Sequence, residues 1–389
     1  MNIRNKHIMI ACCYEAEYGG NFIKMLYALA KRLEDEYETK VFFAFPEQSE
    51  KVWLTELSSK FTVGYTCKPY SKSISDLYKL IATWQIDLVY THFEGYDIPV
   101  AKAIRMTGRQ IKMVWHLHDY ISFDKTGLRL KFLRKVGTNL RLWLQYGWYG
   151  RNAYFVGVSA EVTNIACHYR NHFFSFPKLY SNVELQGLDF PRASVVLNGI
   201  DMSRLGEGYV PQSDKFSFIS FGGESYSKGI PCILDAAHEL SKQGYDFTFI
   251  LTRGYTTSQL LDERYKGKLP KWLRVVEQTD NICKLFNQAN CYISASLRET
   301  MSMGIAEASL FGLPIIQSDI PGTWWNADTP STFLFKLNDA NDLVAKMKMV
   351  MDMPREEMRY LCSKSQEINN ERLSMEKWCN KMVEIFEKL

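Results

Sequence analysis

Hydrophobic and polar positions along the first half of the chain predict strands that alternate with helices. Short apolar runs predict five strands, at His7–Ala11, Lys40–Ala44, Ile86–Tyr90, Ile111–His116 and Tyr154–Val158. Between them, apolar residues recur at helical spacing, as in Phe22–Leu33 and Ile74–Trp84. This alternation indicates a parallel sheet with helices on both faces.

The second half repeats the same rhythm. Strands are predicted at Phe216–Phe221, Phe247–Leu251, Leu273–Val276, Cys291–Ser294 and Leu313–Gln317, and a helix at Pro231–Gln243. The fold class is therefore α/β, with two doubly wound, Rossmann-like domains facing across a cleft, where such sheets bind ligands. We place the domains at 1–205 and 206–374, with a linker near Met202–Pro211. The amphipathic helix Met375–Leu389 is expected to pack back on the first domain.

Composition narrows the class of protein. The chain has 389 residues, of which 46% are hydrophobic and 23% charged, as is typical of a globular protein. A net charge of +4 gives no indication of nucleic acid, and nine cysteines without C-x-x-C spacing fit reduced thiols. No signal sequence is recognisable, and no stretch approaches the ~20 apolar residues of a spanning helix. We expect a cytoplasmic protein.

The densest chemical signal lies in Ser294–Thr323, where a strand leads through a loop into a helix predicted from about Met301 to Phe311. Thr300 or Ser302 is the expected cap. Glu299 and Glu307 are eight residues apart, or ~12 Å at helical rise. Carboxylates that cleave one glycosidic bond lie roughly 5–9.5 Å apart. Glu299 and Glu307, which are farther apart than this, suit a nucleotide sugar, with one carboxylate at each end of the ligand. The diphosphate would then lie at the helix N-terminus. Two solvated helix glutamates are the alternative.

This segment resembles the signature of the retaining family 4 glycosyltransferases, which have the GT-B fold. The shared frame, S-x-x-E-x7-E-A-x-x-x-G-x-P, is formed here by Ser296, Glu299, Glu307, Ala308, Gly312 and Pro314. Further matches follow in the family's order along nearly the whole chain: Gly19-Gly20, His118-Asp119, Val158-Ser159, Asn198-Gly199-Ile200-Asp201 and Lys228-Gly229.

The resemblance implies a role for each matching residue. Glu307 would accept hydrogen bonds from both ribose hydroxyls, Glu299 would contact hydroxyls of the donor sugar, and Lys228 would neutralise the diphosphate. Gly19 and Gly20 would allow close approach of the backbone. His118 would lie beside the transferred sugar, although an ordinary interior histidine is the alternative. We assign catalysis to His118, Lys228 and Glu299, and further donor contacts to Asn198, Gly222, Arg253, Thr300, Met301 and Ser302.

One position departs from the family pattern. The family usually has Gly-Arg before Lys-Gly, whereas Gly223 occupies the place of the arginine here, so one phosphate-binding charge is missing. Arg253 or Arg298 could replace it, since each is expected just after a strand; ordinary loop arginines are the alternative.

No cofactor or metal is expected beyond the nucleotide-sugar substrate. The chain contains no Asp-x-Asp, and no third ligand is evident beside His116 and His118, which alternation on a strand points the same way.

A basic and aromatic stretch covers residues 125–151, with seven basic and no acidic residues. A cationic amphipathic helix with aromatic anchors can lie on an anionic membrane surface. A second such stretch is His168–Tyr180. We expect contact with the inner face of the cell membrane; the alternative is a basic helix that lines the cleft or packs on the domain.

The predicted function is transfer, with retention, of a hexose or N-acetylhexosamine from a nucleotide sugar, with a UDP-sugar favoured. The acceptor would be a glycan or a lipid-linked sugar in bacterial surface polysaccharide or glycoconjugate synthesis. Two alternatives remain: a non-catalytic partner subunit of the same fold that binds glycan, which Gly223 favours, and a nucleotide-sugar epimerase.

Overall fold

The computed structural model describes residues 2–47, 50–68, 70–121, 131–173, 175–178, 180–206 and 215–389. The chain divides into two compact units. The first comprises Met1–Gly199 together with Met375–Leu389, and the second comprises Ile200–Ser374. The division therefore falls after Gly199 rather than after residue 205. Within the predicted linker, Met202–Leu205 form a 3-10 helix of the second unit, and residues 207–211 lie outside the described part.

The first unit contains a parallel sheet of seven strands in the order β3-β2-β1-β4-β5-β6-β7. The strands are β1 His7–Cys12, β2 Lys40–Pro46, β3 Thr62–Thr66, β4 Leu88–His92, β5 Lys112–Leu117, β6 Tyr154–Gly157 and β7 Ala193–Val195. The sequence pattern missed β3 and β7. Both are edge strands, and β7 has only three residues, so neither gives a clear buried run.

Helices cover both faces of this sheet. They are α1 Gly20–Tyr37, α2 Val52–Ser58, α3 Ile74–Thr83, α4 Glu94–Thr107, α5 Lys131–Leu142, α6 Ala160–Asn171 and α7 Asn182–Gln186. Alternate residues of β1 point to opposite faces. Ile8 and Ile10 belong to a core shared with α1, whereas Met9 and Ala11 belong to a core shared with α3, α4 and α6.

The second unit contains a parallel sheet of six strands in the order β10-β9-β8-β11-β12-β13. The strands are β8 Phe216–Phe221, β9 Phe247–Thr252, β10 Leu273–Val276, β11 Cys291–Ser294, β12 Ile315–Ser318 and β13 Thr332–Phe335. The helices are α8 Ile230–Lys242, α9 Thr257–Tyr265, α10 Ile282–Phe286, α11 Met303–Phe311, α12 Ala340–Asp352 and α13 Arg355–Arg372. The doubly wound architecture predicted from the sequence is confirmed in both units.

The last helix, α14 Met375–Lys388, belongs to the first unit. Its apolar face places Trp378, Met382 and Phe386 in the core that α1 also forms. No helix in the described residues is long and apolar enough to cross a bilayer.

In each sheet, the chain adds strands first to one side of the starting strand and then to the other. The change of direction lies between β1 and β4 in the first sheet and between β8 and β11 in the second. Ligands of doubly wound sheets bind outside the carboxyl ends of the strands at this switch point. A ligand site is therefore expected at the residues that follow these four strands.

Candidate active site

A cavity of about 220 Å³ lies at the switch point of the second sheet, between the ends of β8 and β11 and the first turn of α11. Its wall contains four serines, one lysine and one glutamate. The lining residues are Ser220, Phe221, Lys228, Tyr292, Ser294, Ser296, Glu299, Met301, Ser302, Met303 and Gly304. Four residues of the predicted site therefore line one cavity, Lys228, Glu299, Met301 and Ser302. Ser296, from the shared frame, lines it too.

Glu299 is held by two donors inside this cavity. Lys228 Nζ lies 2.5 Å from Glu299 Oε1, and Ser296 Oγ donates to the same oxygen at 2.9 Å. The helix begins at Met303, so Glu299 belongs to the preceding loop and helical rise does not set its separation from Glu307. The predicted helix started two residues too early, and the estimate of ~12 Å along one helix axis does not apply.

The N-terminus of α11 faces the same cavity. Ser302 occupies the cap position, but its side chain makes no capping hydrogen bond. The first N–H groups of a helix have no partner within the helix and favour an anion. With Lys228 beside them, they form a site that suits a phosphate group.

The backbone after Lys228 requires a glycine at position 229. Its φ of 66° lies in the left-handed region, and a Cβ there would meet the carbonyl oxygen of Ala295 at 1.9 Å. The backbone of the Lys-Gly loop therefore approaches the end of β11 more closely than any other residue would allow. This contact positions Lys228 over the cavity.

Gly223 has no side chain to replace the family's arginine, and it adopts a φ of 44°. Gly222 donates its N–H to Thr252 Oγ1 at 3.0 Å and does not line the cavity. Arg253 pairs with Glu277 at 2.8 Å and donates to Ser258, and Arg298 is exposed. Neither arginine lines the cavity.

Glu307 lies on α11, with only 9% of its side chain exposed. Arg204 Nη1 donates to its Oε1 at 2.6 Å. Burial raises the pKa of the Glu307 carboxyl, and Arg204 acts in the opposite direction. Arg204 was not predicted from the sequence, where its only signal is its place three residues after the Asn-Gly-Ile-Asp motif.

Tyr292 was also missed. It lies on β11, where alternation brings Tyr292 and Ser294 to the same face, followed by Ser296. Its hydroxyl oxygen lies beside the first turn of α11. A Cβ on Gly304 would lie 2.2 Å from this oxygen, so glycine is needed for the first turn of α11 to pass over it. The Tyr292 hydroxyl is therefore a further donor at the helix N-terminus.

In the first unit, a cluster of three histidines lies at the ends of β4 and β5. His92, at the end of β4, lies opposite His116 of β5 in the parallel register, and both side chains are buried. His118 follows His116 by two residues. Nδ1 of His92 lies 2.9 Å from Nε2 of His118. His92 is the third histidine that the sequence analysis did not find beside His116 and His118.

All three histidines are neutral. Burial lowers the pKa values of His92 and His116 well below the usual range, and that of His118 to about 3. Nε2 of His92 is buried and has no hydrogen-bond partner among the described residues. A buried N–H without a partner is rarer than a buried acceptor without one, so His92 carries its proton on Nδ1. His118 then accepts at Nε2 and carries its own proton on Nδ1.

The ring nitrogens of these histidines come within 4.8 Å of one another, close enough to hold a metal ion. The internal bonds occupy one nitrogen of each ring, because His116 Nδ1 is hydrogen-bonded to the buried Tyr90 hydroxyl. The aromatic rings of Phe22 and Phe93 pack against His118. This arrangement fixes the position of the His118 ring.

The remaining predicted residues have structural contacts. Gly19 is the cap position of α1, and Gly20 follows with a φ of 53°. Asn21 donates to the carbonyl oxygen of Gly199 at 2.6 Å, and Gly199 lies against α14. Asn198 is buried. Thr300 lies in the loop between Glu299 and the cavity residue Met301.

Each unit thus has polar side chains at a sheet switch point, and the second adds a cation and a helix N-terminus next to two carboxylates. These features suit an anionic ligand with hydroxyl groups. Two family profiles match the chain: Glycosyltransferase Family 4 over residues 24–172, and Glycosyl transferases group 1 over residues 215–353.

Known proteins agree with these profiles. The chain is 23% identical over 321 residues to the Escherichia coli UDP-Gal:alpha-D-GlcNAc-diphosphoundecaprenol alpha-1,3-galactosyltransferase, covering 77% of this chain and 76% of that protein. Anabaena HepE in complex with UDP and glucose has a TM-score of 0.74 at 16% identity and covers 99% of this chain and 100% of that one. The lipopolysaccharide outer core galactosyltransferase WaaB, in its apo form, has a TM-score of 0.66 at 12% identity, with 98% and 100% covered.

The chain is a glycosyltransferase of family 4 type with the two Rossmann-like domains of the GT-B fold. The family and the enzyme class predicted from the sequence are confirmed.

Proposed function

We propose that this glycosyltransferase transfers a hexose, with retention, from a UDP-sugar to a lipid-linked or glycan acceptor in surface glycoconjugate synthesis. The observation that supports the proposal best is the cavity of about 220 Å³, in which Lys228 and the N-terminus of α11 lie beside Glu299. UDP-galactose is the first donor to test, since the Escherichia coli relative is named for it.

Donor binding would exchange one set of partners for another. Lys228 now pairs with Glu299, and the diphosphate would take over Lys228 and lie at the N-terminus of α11. Glu299 would then accept hydrogen bonds from sugar hydroxyls, still oriented by Ser296. Glu307 would accept from the ribose hydroxyls. We propose that no metal is needed, because these groups already supply positive charge to the phosphates.

The proposed chemical step occurs on the face of the sugar that the leaving group occupies. The bond between the anomeric carbon and the phosphate oxygen breaks, and the acceptor oxygen bonds to the same carbon. The acceptor proton passes to the departing phosphate oxygen. Lys228 would stabilise the charge on that oxygen, and the Nδ1–H of His118 would donate to the sugar or the acceptor.

A membrane-bound acceptor fits one surface of the first unit. The predicted basic stretch forms α5 and a π-helix, Trp143–Tyr149, and its residues 125–130 lie outside the described part. Trp148 and Phe173 expose 54% and 52% of their surface, with Leu140 and Phe176 also exposed. Apolar side chains beside basic ones suit an anionic bilayer, so we propose that the enzyme works at the inner face of the membrane.

Two assays test the proposal. UDP-, GDP- and ADP-sugars are compared by thermal shift, in which a bound donor raises the apparent stability, and the preferred donor is then incubated with lipid-linked N-acetylglucosamine. We expect a shift with UDP-galactose and an α-linked product; an inverted product or no binding of any UDP compound would refute the proposal.

Cosedimentation with anionic and neutral vesicles tests the membrane contact, and equal binding of the wild type and Trp148→Ser would reject it.

The second candidate, a non-catalytic subunit that binds glycan, rests on Gly223. Without the family's arginine, Lys228 and the N-terminus of α11 are the groups among the described cavity residues that would stabilise the leaving diphosphate. Slow release of UDP from the donor by the purified protein alone would argue against this alternative.

A further inference from the structure

Arg204 connects three segments of the second unit. Its side chain, in the 3-10 helix Met202–Leu205, is only 13% exposed and donates to Glu307 Oε1 at 2.6 Å and to Asp280 Oδ1 at 3.1 Å. Cys283, on α10, donates its thiol to the Arg204 carbonyl oxygen at 2.7 Å. Arg204 is thus held both at its guanidinium, by Glu307 and Asp280, and at its backbone, by Cys283.

The surroundings of Glu307 require a cation. Burial of a carboxylate is unfavourable unless it is paired and hydrogen-bonded. The other titratable groups that face it are Asp280, before α10, Cys283, on α10, and Tyr292, on β11. Asp280 repels the carboxylate, and the other two are neutral because burial raises their pKa values. In the described part of the chain, Arg204 is therefore the group that keeps Glu307 ionised.

We propose that Arg204 is a positioning residue for the nucleotide: it fixes the Glu307 carboxylate so that this group selects a donor with a 2′-hydroxyl. The inference rests on the proposed function, in which Glu307 binds the ribose. An ionised carboxylate can accept from two hydroxyls, whereas a protonated one loses part of that capacity. Since Arg204 occupies Oε1, it also sets the plane in which Oε2 meets the ribose.

The opposite role would be competition, in which Arg204 has to leave before a nucleotide binds. Removing Arg204 would then strengthen nucleotide binding. If Arg204 is a positioning residue, its removal should weaken the binding of nucleotides that carry a 2′-hydroxyl. The two roles therefore predict opposite changes in nucleotide affinity when Arg204 is removed.

The experiment compares UDP with 2′-deoxy-UDP by calorimetry, for the wild type, Arg204→Gln, Arg204→Lys, Glu307→Gln and Arg264→Gln. We expect the wild type to prefer UDP by about tenfold or more. Arg204→Gln should lose about tenfold in UDP affinity and most of the preference, with little change for 2′-deoxy-UDP. Arg204→Lys should be intermediate. Arg264→Gln is the control, because Arg264 pairs with Asp235 and does not line the cavity.

A pH series adds a readout that a purely structural role would not change. The pKa of Glu307 is raised in the folded chain, so its charged form is lost as pH falls. Without Arg204 that loss moves to higher pH, and the preference for UDP should decrease at a pH where the wild type retains it.

The outcomes separate the inference from the proposed function. Loss of the preference in Glu307→Gln but not in Arg204→Gln or Arg204→Lys overturns the role of Arg204 alone, as does tighter UDP binding by Arg204→Gln. Retention of the preference in Glu307→Gln overturns the ribose contact itself, and the inference with it. If Arg204→Gln does not fold, the intermediate result expected of Arg204→Lys still decides the question.

Discussion

The polar groups at the carboxyl ends of the two sheets are in opposite electrostatic states. In the first unit, His92, His116 and His118 are neutral and hydrogen-bonded within the cluster or to Tyr90. In the second unit, two carboxylates are each paired with a cation, Glu299 with Lys228 and Glu307 with Arg204. The histidine cluster is thus neutral, and hydrogen bonds fix its rings. The site in the second unit is charged, and each of its two carboxylates is neutralised by a cation of the same unit.

The difference shows what each site can do without rearrangement. The histidine cluster can present a donor in one orientation, and no ion pair has to break. The Glu299–Lys228 pair has to exchange its partner for the hydroxyls and phosphates of a donor, so donor affinity is a difference between two sets of contacts. We therefore expect substitutions in the second unit to affect donor binding and leaving-group stabilisation, and those in the first unit to affect transfer.

Lys228→Ala should give the largest effect. It removes the cation at the leaving phosphate, and we expect the transfer rate to fall by about 100- to 1000-fold. Steady-state kinetics with UDP-galactose would measure it. Lys242→Ala is the control, since Lys242 is exposed at the other end of α8. A similar small decrease in both variants would contradict the leaving-group role.

His92→Leu should have an intermediate effect. It removes the hydrogen bond that fixes the His118 ring, and we expect kcat to fall about tenfold. The affinity for UDP should not change, because the donor groups belong to the other unit. His92→Asn is the matched control, since its amide can donate from the position of Nδ1 and should restore most of the rate. Equal losses in the Leu and Asn variants would indicate that the bond has no role.

Tyr292→Phe and Tyr90→Phe form a pair that sharpens the comparison. The Tyr292 hydroxyl lies at the cavity, so we expect Tyr292→Phe to weaken UDP binding about fivefold with little loss of stability. The Tyr90 hydroxyl is buried against His116, so Tyr90→Phe should lower the free energy of unfolding by about 1 kcal/mol and leave UDP binding unchanged. Calorimetry and urea unfolding of both variants test this, and the reverse assignment would refute it.

Most of the second unit could be predicted from the sequence, because its signals are local. The frame from Ser296 to Pro314 lies in one loop and one helix, and Lys228 precedes a helix that the apolar pattern also predicts. Edge strand β13 was missed, since half-buried strands of four residues give little periodicity.

The partners of these residues were not predictable in the same way. Arg204 reaches Glu307 across 103 residues, and no spacing rule relates the two. His92 could have been found, because parallel strands β4 and β5 end at the same edge and place His92 opposite His116. The helix start was placed too early because Thr300 and Ser302 both resemble caps, and only the backbone shows that Ser302 is the cap position.

The pH dependence of transfer should show the smallest effect. The pKa of His118 is lowered to about 3, so this ring stays neutral through the physiological range. A pH–rate profile of kcat/KM should therefore show no step near the ordinary histidine pKa of about 6.5. The raised pKa of Glu307 predicts instead a decrease on the acid side, since the charged carboxylate is lost as pH falls. Glu307→Gln should remove that acid limb, whereas a limb near 6.5 that disappears in His118→Gln would show that His118 titrates and that the two sites differ less than the structure indicates.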